Sequence, residues 1–318
     1  MSGTPSFGIA LPQSFSATGD GMERLSRFLH TAEEGPFESL WVQEQLLGRD
    51  PSLEPLTSLA YAAAETSRLR LGTATVVAPL RDPILLAKTT ASLDVMSGGR
   101  LILGLSIGEV SQIYDAVGVD MTERGRRLDE SVEVLLSLWT DTAASYDGRF
   151  WGFDDVAMEP KPVQRPHPKL WFGGHSRAAL RRVARSGTGW IGAGGSSLGE
   201  FAERVCWLEE ELERYGRSRS EVTVAKKLYC AVDESPERAR KGLETWFAQH
   251  WPADLNPVEL GARAGVAGNH NQVGEAITTA IRGGADLIML NPVFDEGLQL
   301  ERLTELIHDL NVTTGASR

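Results

Sequence analysis

The chain has 318 residues, 42% of them hydrophobic, with 33 glycines and 15 prolines, which suffices for a sizeable core in one large α/β unit or two ordinary ones. A formal net charge of −11 leaves no basic footprint for nucleic acid, and no apolar run approaches the length that spans a bilayer. The opening MSGTPSFGIA has neither the basic region nor the apolar core of a signal peptide, so a cytoplasmic protein with no membrane association is expected.

FGIALP (7–12) reads as a short strand, and the stretch after it as a helix to about Glu34. SLWVQE (39–44) is the next strand, with a helix from Leu56 into Thr66 behind the proline-bounded RDPSLEP. LRLGTATVVAP (69–79) is the third strand, and DPILLAKTTASLDVM (82–96) a helix with Pro83 in its first turn. Gly98 and Gly99 suit a left-handed turn that ends this helix. A strand at 101–106 leads to a long helix at 122–139, with Leu128, Val132, Leu135, Leu136 and Trp139 on one face and Thr122 as its cap. Residues 145–168, with four prolines and scattered aromatics, form an insertion with a hairpin around YDGRF. Alternation then resumes with strands at 169–174, 189–194 and 221–232 and helices at 176–186, 198–215 and 236–250. A loop at 252–269, a helix at 272–282, a strand at 285–290 and a helix at 298–309 close the chain. Eight strands, most of them apolar throughout and seven followed directly by a helix, are the arithmetic of a (β/α)8 TIM barrel over residues 1–318. An open doubly wound sheet is the alternative, but no G-x-G-x-x-G follows the first strand.

A barrel gathers its chemistry where the strands end. GGRLILGLSIGE (98–109) delivers Glu109 there, as a functional carboxylate or as an ordinary acid at a helix start. Glu44 and Gln45 leave the second strand at the same mouth, where polar residues also begin many plain loops. FGGHSRAALRR (172–182) ends a strand in Gly173 and Gly174 and opens a helix at His175 and Ser176, a turn whose bare backbone suits a phosphate. GAGGSS (192–197) is a second glycine loop of that kind. Gly72, Thr73, Ala74 and Thr75 are small for a buried strand, which points either to a ligand close against this backbone or to a bulky neighbour. The six histidines form no metal-binding pattern, and neither a G-x-S-x-G elbow nor a P-loop is present, so hydrolysis by nucleophile or metal is disfavoured. Cys206 and Cys230 are read as buried or unreactive thiols. Phe150, Trp151, Phe153 and Trp251 fit an apolar or planar substrate, or a cover for the barrel.

FESLWVQE, LRLGTATVVAPLRDPILLAK, LDVMSGGRLILGLSIGE, MEPKPVQRPHPKLWFGGHS and GWIGAG, in this order over most of residues 7–194, resemble the bacterial-luciferase-like superfamily of flavin- and deazaflavin-dependent oxidoreductases. GGADLIML near the end also fits. The resemblance implies the same barrel, often as a homodimer, acting on a small-molecule substrate. It implies a cofactor ring across the third strand, where many members have a bulge with a non-proline cis peptide, here at Ala74–Thr75 next to Thr73. It sets the cofactor phosphate on Gly173, Gly174, His175 and Ser176, and counts Glu44 among the cofactor contacts. Flavin monooxygenases of the superfamily carry a phosphate-holding arginine near the end of strand four, where this chain has Ile107. The deazaflavin branch shows G-E-x-x-N, matched by Gly108, Glu109 and Gln112 with glutamine for asparagine. The implied activity is therefore hydride transfer with coenzyme F420, Glu109 lying near the reacting centre and Gln112 contacting the ring. The alternatives are an FMN-dependent monooxygenase and a ligand-binding barrel without turnover. Many relatives have a histidine after strand two; Gln45 stands there and cannot become cationic or shuttle a proton.

Overall fold

The computed structural model describes residues 5–14, 19–48, 50–109, 111–250 and 256–315. In chain order these form β1 (Ser6–Ala10), α1 (Gly21–Glu34), β2 (Ser39–Val42), α2 (Pro55–Glu65), β3 (Arg70–Thr73), β4 (Val76–Val77), α3 (Pro83–Met96), β5 (Leu101–Ser106), α4 (Ser111–Val117) and α5 (Arg124–Thr140). There follow β6 (Ala144–Asp147), β7 (Gly152–Val156), β8 (Lys169–Gly173), α6 (Arg177–Ser186), β9 (Gly189–Gly192) and α7 (Leu198–Arg214). The last elements are β10 (Thr223–Val232), α8 (Pro236–His250), α9 (Pro257–Ala264), β11 (Gly265–Gly268), α10 (His270–Arg282), β12 (Leu287–Pro292) and α11 (Glu296–Gly315).

Eight parallel strands close on themselves in the order β1, β2, β3, β5, β8, β9, β10, β12, and β12 pairs back onto β1. This is the expected TIM barrel, its helices packed around the outside. The barrel interior holds Trp41, Ile102, Trp171, Ile191, Ala225, Leu287 and Met289. Two tryptophans fit there, with ring centroids 5.1 Å apart, because glycines stand opposite them in the ladder. A Cβ on Gly72 would come within 2.2 Å of the Trp41 ring, and one on Gly189 within 2.3 Å of Trp171. At Gly72 the small residue therefore serves the bulky neighbour.

The third strand breaks rather than running through 69–79. Gly72 pairs with Ile102 and Val76 with Leu105, so the β3–β4 side carries one extra residue, a bulge. The peptide between Ala74 and Thr75 inside it is cis. The Thr73 hydroxyl donates to the Gly104 carbonyl and accepts from the Gly104 N–H, both at 2.8 Å, and so supplies the ladder bonds that the bulge interrupts. Gly104 permits this approach, since a Cβ there would lie 2.0 Å from the Thr73 carbonyl oxygen.

Two further expectations need correction. The stretch 252–269 is not a loop throughout: Pro257 starts α9 at its first helical position, and Gly265–Gly268 pair with Tyr229–Val232 as β11. Ten-residue β10 outruns the barrel wall, and its upper half carries β11 with a separate apolar cluster of Tyr229, Leu243, Phe247 and Leu260. Thr122 is not the cap of the long helix; Asp120 caps a short 3-10 turn by accepting from Thr122 N–H at 2.8 Å, and α5 starts behind it. The insertion does contain the hairpin, β6 with β7, and Trp151 and Phe153 pack against the core, while Trp251 lies outside the described residues. Cys230 is buried as expected, whereas Cys206 is exposed. No described helix is long and apolar enough to cross a membrane.

Candidate active site at the barrel mouth

A pocket opens where β1, β2, β3, β10 and β12 end. Ala10, Val42, Gln43, Ala74, Lys227 and Asn291 are among its lining, and Trp41 and Met289 belong to it as well. It is narrow, with about 10 Å³ open to a water-sized molecule inside about 280 Å³ that includes open solvent. Ala74 thus turns the bulge towards the mouth. Thr73 does not: it is fully buried and its hydroxyl is engaged by Gly104, so it shapes the bulge instead of lining the mouth. The Thr75 hydroxyl donates to Ser106 Oγ at 2.6 Å, tying the bulge to the end of β5.

Glu44 is a brace. Its side chain is 3% exposed, and its Oε2 accepts from the Val77 N–H at 2.5 Å. Its Oε1 accepts from Arg81 Nε at 2.9 Å and from Arg81 Nη2. Arg81 also reaches Glu54 at 2.7 Å, and Glu54 in turn caps α2 through the Thr57 N–H. Both oxygens of Glu44 are therefore taken by the segment that follows the cis peptide. Gln45 is half-buried and lies so close to the chain that a Cβ on Gly48 would stand 2.6 Å from its Nε2.

Gln43 and Lys227 were not singled out by sequence reasoning. The Lys227 ammonium donates to Gln43 Oε1 and sits 4.6 Å from the Tyr229 ring centroid. Gln43 is itself fixed, its N–H donating to Gln13 Oε1 at 2.7 Å while Gln13 Nε2 donates to the Gln43 carbonyl at 3.0 Å. Burial pushes the Lys227 amine down to about 7. Its neighbour Lys226 points the other way, through period-two alternation, and donates to Ala193 O, Ser196 O and Ser196 Oγ at 2.7–3.0 Å. It clamps the glycine loop after β9 from beneath. A signal did exist for both: two adjacent lysines in an apolar barrel strand cannot both face water.

At the end of β5, Ile107 packs against the core and Gly108 takes a φ of +63°. A Cβ on Gly108 would meet Val77 Cγ1 at 2.8 Å. Glu109 and Gln112 are both exposed, and Glu109 has no hydrogen-bond partner among the described residues. Tyr114, buried beneath them, donates its hydroxyl to the Ile107 carbonyl. Burial raises this phenol to about 12 against the pull of Arg124 and Arg127. On the neighbouring strand β8, Gly173 presses its bare Cα side against Thr75, where a Cβ would meet Cγ2 at 2.8 Å. Gly174 adopts φ +122°, and its carbonyl accepts from Trp190 Nε1 at 2.7 Å. Ser176 caps α6 by accepting from the Ala179 N–H at 3.2 Å, while His175 stays exposed.

The sequence pattern of luciferase-like monooxygenases matches residues 6–287. The chain belongs to that family. It is an oxidoreductase of the luciferase-like type. It is 29% identical over 253 residues to an F420-dependent glucose-6-phosphate dehydrogenase of Kineococcus radiotolerans, a match that covers 74% of each chain. It is also 29% identical over 254 residues to an FMNH2-dependent dimethylsulfone monooxygenase of Pseudomonas putida, covering 79% of this chain and 68% of that one. In fold it resembles an F420-dependent secondary alcohol dehydrogenase, with a TM-score of 0.85 over 96% of this chain and 99% of the other at 17% identity. Within this luciferase-like barrel, Thr75 and Gly173 meet Ser106 at the end of β5, Ala74 lines the pocket beside Gln43 and Lys227, Glu109 and Gln112 stand exposed beyond β5, and Glu44 and Thr73 hold the bulge.

Proposed function

We propose that this luciferase-like enzyme moves a hydride between coenzyme F420 and a small organic substrate, with the cofactor ring over Ala74–Thr75. Ile107 carries the choice of cofactor: its side chain packs against the core, so the mouth end of β5 presents no arginine where flavin monooxygenases hold the phosphate. Gly108, Glu109 and Gln112 supply the deazaflavin pattern at that end. The residues fit a flat cofactor with a phosphate tail. Ala74 gives the bulge a small face, Gly173 forms a wall too close for a Cβ, and the first N–H groups of α6 are open apart from the one Ser176 engages.

When bound, the deazaflavin supplies a two-electron hydride donor or acceptor. The chain's own residues do the rest. Glu44 holds the backbone at Val77, Gly174 and His175 bind the phosphate, and Gln112 and Gln45 orient ring and substrate through their amides. Glu109 carries charge or a proton at the ring's edge. A homodimer is part of the same reading, since α3 leaves Ile84, Leu85, Val95 and Met96 exposed, Leu85 at 69%. The equal identity to an FMNH2-dependent monooxygenase keeps one second reading open, oxygenation with reduced FMN. A side-by-side titration of the purified protein with F420 and FMN separates the two. Tighter F420 binding without oxygen consumption is expected; tighter FMN binding with substrate-dependent oxygen uptake would replace this reading with the monooxygenase.

A further inference from the structure

Lys227 is the unexplained group of the mouth. An amine buried in a barrel that Met or Leu would fill opposes folding. Of the described residues lining the pocket, Lys227 alone can titrate. Its strand, β10, stands across the barrel axis from β3, so the amine and Ala74 face the same space from opposite sides. The groups around it are few. β2 offers Gln43, β12 offers Asn291 and Met289, the bulge offers Ala74, and the loop after β9 offers the Gly194 backbone, whose Cβ position is 3.3 Å from Lys227 Cδ. β10 itself adds the Tyr229 ring, and Lys226 carries a further charge, on the opposite face. No carboxylate lines this pocket among the described residues. With one amide partner, the ammonium keeps two hydrogens, and the neutral amine one hydrogen and its lone pair, for something else.

We infer that Lys227 is the acid–base residue on the substrate's side of the ring and acts on the oxygen of a carbonyl or alcohol substrate held at this pocket. The inference rests on the hydride-transfer reading and names the substrate class for it. In the reducing direction the carbonyl carbon accepts a hydride, with both electrons, from a reduced deazaflavin or dihydroflavin. The C=O π bond breaks, the oxygen takes a proton from the Lys227 ammonium, and the neutral amine regains a proton from water. In the oxidising direction the neutral amine removes the hydroxyl proton, the C=O π bond forms from the O–H electrons, and the carbon's hydride passes with both electrons to an oxidised deazaflavin or flavin. An amine whose pKa burial brings down to about 7 can serve both directions at neutral pH, as a histidine would. Gln43, anchored through Gln13, is the positioning residue that aims it.

Formaldehyde with cyanoborohydride tests this on the intact protein, with methylation mapped by peptide mass. At pH 7 about half of an amine with such a pKa is neutral, against less than roughly one in a thousand for an ordinary lysine. Lys227 is expected to react at least tenfold faster than exposed Lys241, at a rate that falls about tenfold per unit as pH drops well below 7. Lys226 is the internal control: equally depressed, but bonded to three acceptors away from the pocket, it should stay unreactive. Saturating F420 or FMN, whichever binds, should slow Lys227 labelling at least tenfold and leave Lys241 unchanged. Labelling no faster than Lys241, a rate flat between pH 6 and 8, or no protection by a bound cofactor would each overturn the role of Lys227 and leave the hydride-transfer reading standing. Binding of neither cofactor would overturn that reading, and this inference with it, even with Lys227 reactive.

Discussion

Replacing Glu44 with Gln tests whether the carboxylate under the bulge is a brace. The side chain is 3% exposed and Arg81 is 22% exposed, so the pair is largely shielded from solvent. A glutamine of the same size keeps one oxygen for the Val77 N–H, but it turns an NH2 group towards a guanidinium that also only donates. Breaking a buried ion pair from one side costs about 3–5 kcal/mol. Arg81 keeps Glu54 at 2.7 Å and some water, so the expected loss here is about 2–3 kcal/mol. At an unfolding entropy near 2.1 cal/mol/K per residue, that lowers the Tm by about 3–5 °C. Glu44→Ala should lower it further by orphaning the Val77 N–H, a buried donor worth about 1–3 kcal/mol. Calorimetry of Glu44→Gln, Arg81→Met and the double variant closes the cycle, with the F420 or FMN dissociation constant as second readout. The reasoning predicts a coupling above about 1 kcal/mol and weaker cofactor binding in both single variants. A Tm within 1 °C of the parent protein for Glu44→Gln, or no coupling in the cycle, would refute it.

Burial alone would raise the Asp233 carboxyl, but hydrogen bonds from Arg238, the Ser235 N–H and Arg302 overcome it and hold it at about 2. Being lower folded than unfolded, it adds stability that is complete above pH 4–5 and lost as pH falls through about 2; acid titration of Asp233→Asn should show that slope removed. Lys227 has the opposite sign: its folded value of about 7 lies below the unfolded one, so stability rises with pH between 7 and about 10.4. Lys227→Met should therefore raise the Tm at pH 7 and abolish that rise, and an unchanged Tm at both pH 7 and pH 10 would show the amine to be hydrated. Gly104→Ala drives a Cβ against a backbone oxygen that cannot swing away, so it should cost more than the roughly 1–3 kcal/mol of ordinary overpacking, read by Tm alongside the roomier Gly199→Ala. Glu109→Gln should cut turnover at least tenfold while leaving cofactor affinity within a few fold; unchanged turnover returns Glu109 to an ordinary exposed loop acid.

The barrel was legible because its strands are short apolar runs bounded by glycine, which is what a wall covered on both faces requires. The smallness of residues 72–75 was legible too, though not its division of labour. Gly72 makes room for Trp41, Thr73 repairs the ladder, and only Ala74 reaches the pocket. Such roles depend on the neighbouring strand, and no local pattern encodes them. Helix α9 and β11 escaped because GVAG is four small residues without alternation, and its pairing exists only because β10 runs past the barrel wall. Glu44 looked like a contact for a ligand because position alone cannot show that Arg81 and Val77 already hold it.

Gln45 makes the placement of Lys227 intelligible. A group that moves a proton at neutral pH needs a pKa near 7, which a histidine has unaided and a lysine reaches only by desolvation. Strand two of this chain offers a neutral amide at the position where many relatives, by resemblance, carry the histidine. Among the described residues the pocket's one titratable side chain comes instead from β10, and its amine reaches back to Gln43, two residues before Gln45. The amine thus comes to the end of strand two from the opposite wall. Full burial does for it what ring chemistry does for histidine. A substrate reduced here would meet the amine from the β10 side, so relatives with histidine on strand two need not share its orientation even where they share its chemistry.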